Sequence, residues 1–151
     1  MRNLLLLGAV TVVPWVELRG AIPLGIAMGL HPLWVLVVTV VANCLIIVPG
    51  FVALDLMYDR WLARLPAIQR QVERVRAKGT SYVERYELVG LALFVAVPLP
   101  GTGAYSGTLL AWLLGLDRKR AALAIAAGVL MAGVIVTLAV SGAVAVLRRV
   151  L

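Results

Sequence analysis

Apolar residues run along this chain in long blocks rather than at an alternating period. Residues 4–16 are apolar and end at Glu17-Leu18-Arg19-Gly20. Residues 21–30 form a short run closed by His31-Pro32. Residues 33–54 carry no charge. Residues 88–115 are interrupted by Pro98-Leu99-Pro100-Gly101-Thr102-Gly103, and residues 121–147 are again uncharged. A spanning helix needs roughly 20 apolar residues to cross about 30 Å of hydrocarbon. Residues 33–54 and 121–147 meet that length and are expected to be transmembrane helices. The first block is only 13 residues long, on the order of 20 Å as a helix.

Two arrangements fit the interrupted blocks. Each is one kinked helix, or each is a re-entrant hairpin (4–30 and 88–115) with its tip near mid-bilayer. Non-helical backbone at that depth survives only inside protein or beside a water-filled cavity. Segment lengths and tip sequences favour hairpins. The chain then reads as one all-α membrane domain, 1–151. Two inverted repeats, each a hairpin followed by a transmembrane helix, are joined by a linker at 57–87. Inverted repeats with broken helices meeting at the midplane belong to transporters. A short internal match, Leu18-Arg19-Gly20-Ala21 against Leu99-Pro100-Gly101-Thr102, agrees with a repeat.

The linker carries Trp61, Leu65, Ile68, Val72, Val75, Tyr82 and Tyr86 at a 4-3 spacing, with Arg70, Arg74, Arg76 and Lys78 largely on the other faces. That pattern predicts an amphipathic helix on the membrane surface. Trp61, with Arg60 and Arg64, would anchor it at headgroup level. With hairpins, the seven Lys or Arg of the linker and the three of residues 118–120 lie opposite Arg2, Arg148 and Arg149; with kinked helices, the three at the termini join the linker and residues 118–120 lie opposite, at the same ratio. The positive-inside rule makes the linker cytoplasmic in either arrangement.

Composition agrees with this reading. The chain is 63% hydrophobic and 14% charged, against about 45–50% and 25% in soluble domains. Its net charge is +7, but the basic residues flank apolar runs, which points to membrane surfaces and not to nucleic acid. Cys44 and His31 are the only cysteine and histidine, too few for a disulfide or a zinc site. Residues 4–13 follow only Arg2 and precede no A-x-A pattern, so they read as membrane sequence and not as a signal peptide.

Two motifs carry the candidate chemistry. In Glu17-Leu18-Arg19-Gly20-Ala21-Ile22-Pro23, two ionisable residues sit between apolar runs. A charge at the bilayer centre costs at least about 2.5–3.5 kcal/mol, so such residues line a pathway or pair inside the bundle. Pro23 is expected to open the second half-helix, with its N-terminus at membrane depth. In the second motif, Pro98, Pro100, Gly101 and Gly103 break the helix and expose N–H groups. Thr102, Tyr105 and Ser106 supply hydroxyls, and a half-helix is expected to start near Ala104. Together the motifs outline a midplane site for an anionic group, with Glu17 as the proton carrier. Asn43 lines this pathway or bonds a neighbouring helix, the latter favoured. Pro49 and Gly50 are expected to kink their span. Asp55 and Asp59 are expected to be solvated ends. Gly133, Thr137, Ser141 and Ala145 form a small-residue packing face. No nucleophile–base pair, metal cluster or nucleotide loop is present, so neither an enzyme nor a cofactor is expected.

The stretch 17–23, and Ala96-Val97-Pro98-Leu99-Pro100-Gly101-Thr102-Gly103-Ala104 followed by Gly107, resemble the family called putative small multi-drug export proteins. The resemblance covers nearly the whole chain. That family is similar in layout to the DedA superfamily of prokaryotic membrane proteins. This implies a location in the prokaryotic inner membrane, translocation of an anionic lipid such as undecaprenyl phosphate, and coupling to protons through embedded carboxylate and arginine residues. Glu17 and Arg19 match that charge type. The second hairpin lacks the arginines of the DedA pattern. The partners expected are membrane lipids, an anionic amphiphile, protons and further copies of the chain. The alternatives are a drug or cation exporter using Glu17 as its exchangeable carboxylate, and a non-transporting membrane scaffold.

Overall fold

A computed structural model describes residues 2–60, 70, 73, 84–99 and 101–150. Among these there are no strands, and six helices follow one another: α1 (Arg2–Thr11), α2 (Glu17–Ala27), α3 (Pro32–Arg60), α4 (Glu84–Ala96), α5 (Ala104–Leu114) and α6 (Arg118–Val150). The order short, short, long occurs twice. The amphipathic-helix expectation for the linker falls mostly outside the described residues. Its limits move, because α3 runs on to Arg60 and α4 begins at Glu84.

The helices α3 and α6 are each long and apolar enough to cross a membrane, and only 33% of each apolar window is buried within the chain. The remainder faces outward, as lipid-facing surface does. The other four helices have between 10 and 13 residues and are too short to cross alone. In the first half, α1 and α2 pack on each other and on α3; in the second, α4 and α5 pack on each other and on α6. The halves join where α3 meets α5 and α6, and where α2 meets α6.

Buried apolar side chains from both halves form the core, with Leu7, Leu18, Ile22 and Val35 in the first and Val95, Ile125 and Val129 in the second. Missing side chains let backbones approach. A Cβ at Gly25 would lie 2.9 Å from Val35 Cγ2 and 3.1 Å from Leu7 Cδ2. At Gly128 it would lie 2.5 Å from the Ala92 carbonyl oxygen, so α4 sits directly on α6. The α6 face behaves as expected at Gly133, whose absent Cβ leaves room for Leu36 and Val40 of α3. Helix α3 continues through Pro49 and Gly50.

Three sequence expectations need correction here. The first break lies at residues 12–16, upstream of Glu17. Pro14 explains it: proline has no N–H for the next helical bond and drives the residue before it out of the α region. The second concerns Pro23, which does not open a helix but lies inside α2. Glu17 has already started that helix, and Pro23 only deletes one interior bond. Asp55 is also no simple solvated end. Its carboxylate accepts from Trp112 Nε1 at 2.9 Å and pairs with Arg118 at 2.7 Å, tying α3 to α5 and α6.

Candidate functional site

The two breaks meet each other. The Pro14 turn is closed by the Val13 carbonyl, which accepts the N–H groups of Val16 and Glu17, each at 3.0 Å. Glu17 then has φ of 45°, the one positive value among the described non-glycine residues. Most side chains avoid that region, and where it persists the surroundings hold it. The conformation turns the carboxylate inward, and Glu17 is only 6% exposed.

Three groups hold the carboxylate. Arg19 Nη1 donates to Oε2 at 2.9 Å. The N–H groups of Tyr105, at 3.4 Å, and of Ala104 also point to it. These open α5, so Glu17 supplies the anion that its N-terminus favours. The half-helix expected to start near Ala104 does start there, and the anion at its N-terminus is the chain's own Glu17 carboxylate. Gly103 makes this possible, because a Cβ there would fall on the Glu17 carboxylate.

Arg19 reaches the other way. Its Nη2 lies 3.0 Å from the Val95 carbonyl, 2.9 Å from that of Val97 and 2.5 Å from that of Thr102. The Thr102 hydroxyl lies 3.0 Å from the same nitrogen. One guanidinium thus caps the frayed end of α4 and the loop beyond it. Its Nε is buried with no partner. Pro98 ends α4, and Gly101, with φ of 88°, supplies the left-handed turn that returns the chain toward α5. Pro100 lies outside the described residues.

The hydroxyls singled out in the sequence are all engaged within the protein. Thr102 donates toward Val97 at 2.6 Å, with Leu99 at 2.9 Å. Ser106 bonds the Gly103 carbonyl at 3.2 Å. Tyr105 donates to the Val12 carbonyl at 2.5 Å, linking the two breaks a second time. Asn43 stands apart: it is fully buried and donates at 3.3 Å to Thr39 of its own helix, not to a neighbouring one. Its Oδ1 has no partner. The sequence reading missed Pro14 as the origin of the first turn, although a proline following valines was a signal for it.

This geometry pairs opposite charges in a largely buried setting and gives each a second set of partners. Glu17 can be neutralised by a proton. Arg19 would then keep its carbonyl contacts but regain Nη1, beside a vacant Nε.

Residues 17–135 match the model of the family described as "Putative small multi-drug export protein". The chain belongs to that family. The match spans more than half of the protein, begins at Glu17 and includes both motifs. No curated protein and no solved structure matches the chain. Family membership and the two long apolar helices agree on a membrane location.

Proposed function

We propose that this protein is a membrane transporter that moves an anionic amphiphile together with a proton past Glu17 and Arg19. The observation that carries the proposal is the sharing of one guanidinium between an embedded carboxylate and a helix break. A substrate anion and the Glu17 carboxylate compete for Arg19. Substrate binding therefore goes with protonation of Glu17, and substrate and proton travel in the same direction. Losing the ion pair without a replacement would strand a buried charge, which costs about 3–5 kcal/mol. The site is thus stable either paired with itself or loaded with both substrate and proton.

In this reading, residues 4–30 and 88–115 are re-entrant hairpins entering from opposite faces, with their tips meeting at the Glu17–Arg19 pair. The repeats are inverted, the basic linker faces the cytoplasm of a prokaryotic cell, and copies of the chain assemble to complete the wall. An anionic lipid such as undecaprenyl phosphate fits the charge and the setting. The test is flux of that lipid in proteoliposomes, with and without a pH gradient, for wild type and Glu17→Gln. Flux driven by the gradient and lost in the folded variant supports the proposal. No wild-type flux from correctly inserted protein removes it for this substrate.

The family's description favours a second reading, export of small drug-like compounds, with Glu17 exchanging a proton for a cation. Arg19 separates the two, because a cation on Glu17 would leave the guanidinium without its counter-charge.

A further inference from the structure

Among the described residues, four buried side-chain atoms have no hydrogen-bond partner: Arg19 Nε, Asn43 Oδ1, Thr137 Oγ1 and Ser141 Oγ. Buried polar atoms are as a rule paired, and one left over calls for a ligand, an ion or water. Asn43 is 0% exposed and Thr137 8%. The helix registers show where these atoms lie. Arg118 meets Asp55, and Gly133 meets Leu36 and Val40, so α6 runs antiparallel to α3. On that register Val129 is level with Asn43, Thr137 with Val35, and Ser141 with the His31-Pro32 start of α3. Gly50 meets Thr108 and Asp55 meets Trp112, so α5 runs parallel to α3. Gly103, and with it the Glu17 carboxylate, is therefore within one turn of Asn43 along the helix axes. Helix α2 agrees: Gly25 meets Val35 across a short turn, which brings Glu17 level with Asn43.

A polar line descends from the ion pair. Asn43, Thr39, Thr137 and Ser141 follow at intervals of about one helical turn, or about 5.4 Å, close to the span of one bridging water. Thr39 is fully buried, and its hydroxyl donates to the Val35 carbonyl at 2.8 Å while its oxygen can still accept. Ser141 borders a cavity of about 470 Å³ whose lining also includes Ile26, Leu30, Val144 and Arg149. Arg19 apart, α2, α3 and α6 put no charged side chain between Glu17 and Arg149. Toward the other face the same helices are apolar: Ile46, Ile47 and Phe51 of α3 and Ala121 and Ile125 of α6 are buried there. The Thr108 hydroxyl of α5 is taken by the Ala104 carbonyl at 2.7 Å.

We propose that Asn43, Thr39, Thr137 and Ser141 hold a one-sided line of water that carries protons between Glu17 and the membrane face bearing residues 28–32 and Arg149. This rests on Glu17 as the proton carrier of the transport reading above, and adds the route and the side from which the proton arrives. Each water accepts one proton and releases another, so Glu17 gains the proton that the solution at that face loses. In the proposed topology this is the outer face, and Ile46, Phe51 and Ile125 seal the cytoplasmic side.

The test is the reach of silver ions from each face of oriented proteoliposomes in chloride-free buffer. Thr137→Cys and Ile125→Cys are compared, each combined with Cys44→Ala. Blocked thiols are those that no longer take a maleimide after unfolding. A thiol ionises and binds silver where water reaches it. Thr137→Cys is expected to be blocked from the Arg149 face on the order of tenfold or more faster than Ile125→Cys, because an ion in dry apolar packing costs far more than that ratio requires. Asn43→Cys repeats the measurement nearer Glu17, should Thr137→Cys fail to insert. Equal protection of the two thiols, or equal block from both faces, overturns the path. No substrate is present, so that outcome leaves the anion site standing. Absent lipid flux with silver block intact would instead overturn the transport reading and keep the water line.

Discussion

Gly103 offers a direct test of how the site is built. Its φ of −106° suits any residue, so alanine there brings no backbone strain. The added Cβ nevertheless occupies the position of the Glu17 carboxylate, which has to leave the N–H groups of Tyr105 and Ala104. Losing an anionic cap costs about 1 kcal/mol, and forcing a methyl into a packed site costs about 1–3 kcal/mol more. Gly103→Ala is therefore expected to destabilise the protein by about 3 kcal/mol. For a chain of this size that lowers the melting temperature by on the order of 10 °C. Gly101→Ala is the control: its φ of 88° strains alanine, but the space around it is open, so the cost is about 1–2 kcal/mol. The assay is thermal unfolding in one detergent, followed by circular dichroism, for each variant alone and combined with Glu17→Ala. In the Glu17→Ala background the collision disappears, so the cost of Gly103→Ala falls by about 1–3 kcal/mol. Equal stability of Gly103→Ala and wild type, or an undiminished cost beside Glu17→Ala, would refute the placement of the carboxylate.

Other substitutions probe the remaining contacts. Arg19→Lys keeps the charge but cannot span Glu17, Val97 and Thr102 together, so transport should fall at least tenfold in flux assays while the protein still inserts. Gly128→Ala drives a methyl into the Ala92 carbonyl and should cost about 1–3 kcal/mol in thermal unfolding. Gly90→Ala meets nothing within 4 Å and should be neutral or stabilising by up to about 1 kcal/mol. Trp112→Phe removes the bond to Asp55 and should cost about 1 kcal/mol. Arg118→Ala removes an exposed pair and should cost less than about 1 kcal/mol in the same measurement.

The elements were legible in the sequence because lipid imposes a length on apolar runs, and α3 and α6 answer to that length. The charged pair was legible because Glu17 and Arg19 have no local polar company. The consequences of folding were less so. Nothing near Glu17 in the chain shows that its carboxylate meets Gly103 and Tyr105, more than 80 positions away. The same holds for Asp55, whose partner Trp112 is 57 residues distant. Thr102, Tyr105 and Ser106 looked available because a sequence lists hydroxyls without the carbonyls that engage them. Pro23 misled because proline suits a helix start but also fits inside a helix at the loss of one bond, and here Pro14 has already made the break and α2 runs on through Pro23.

Competition for Arg19 is tested most directly by the pH dependence of anion affinity. Dodecyl phosphate binding to nanodisc-held protein would be measured for wild type and Glu17→Gln at pH values above about 7.5, where the ligand is already the dianion and its own charge does not change. With one proton taken up per anion bound, the wild-type dissociation constant rises up to about tenfold per pH unit. Glu17→Gln, fixed in the neutral form, binds tightly with that dependence removed. A wild-type affinity indifferent to pH, or tighter as pH rises in the manner of a cation site, would contradict proton-coupled anion transport.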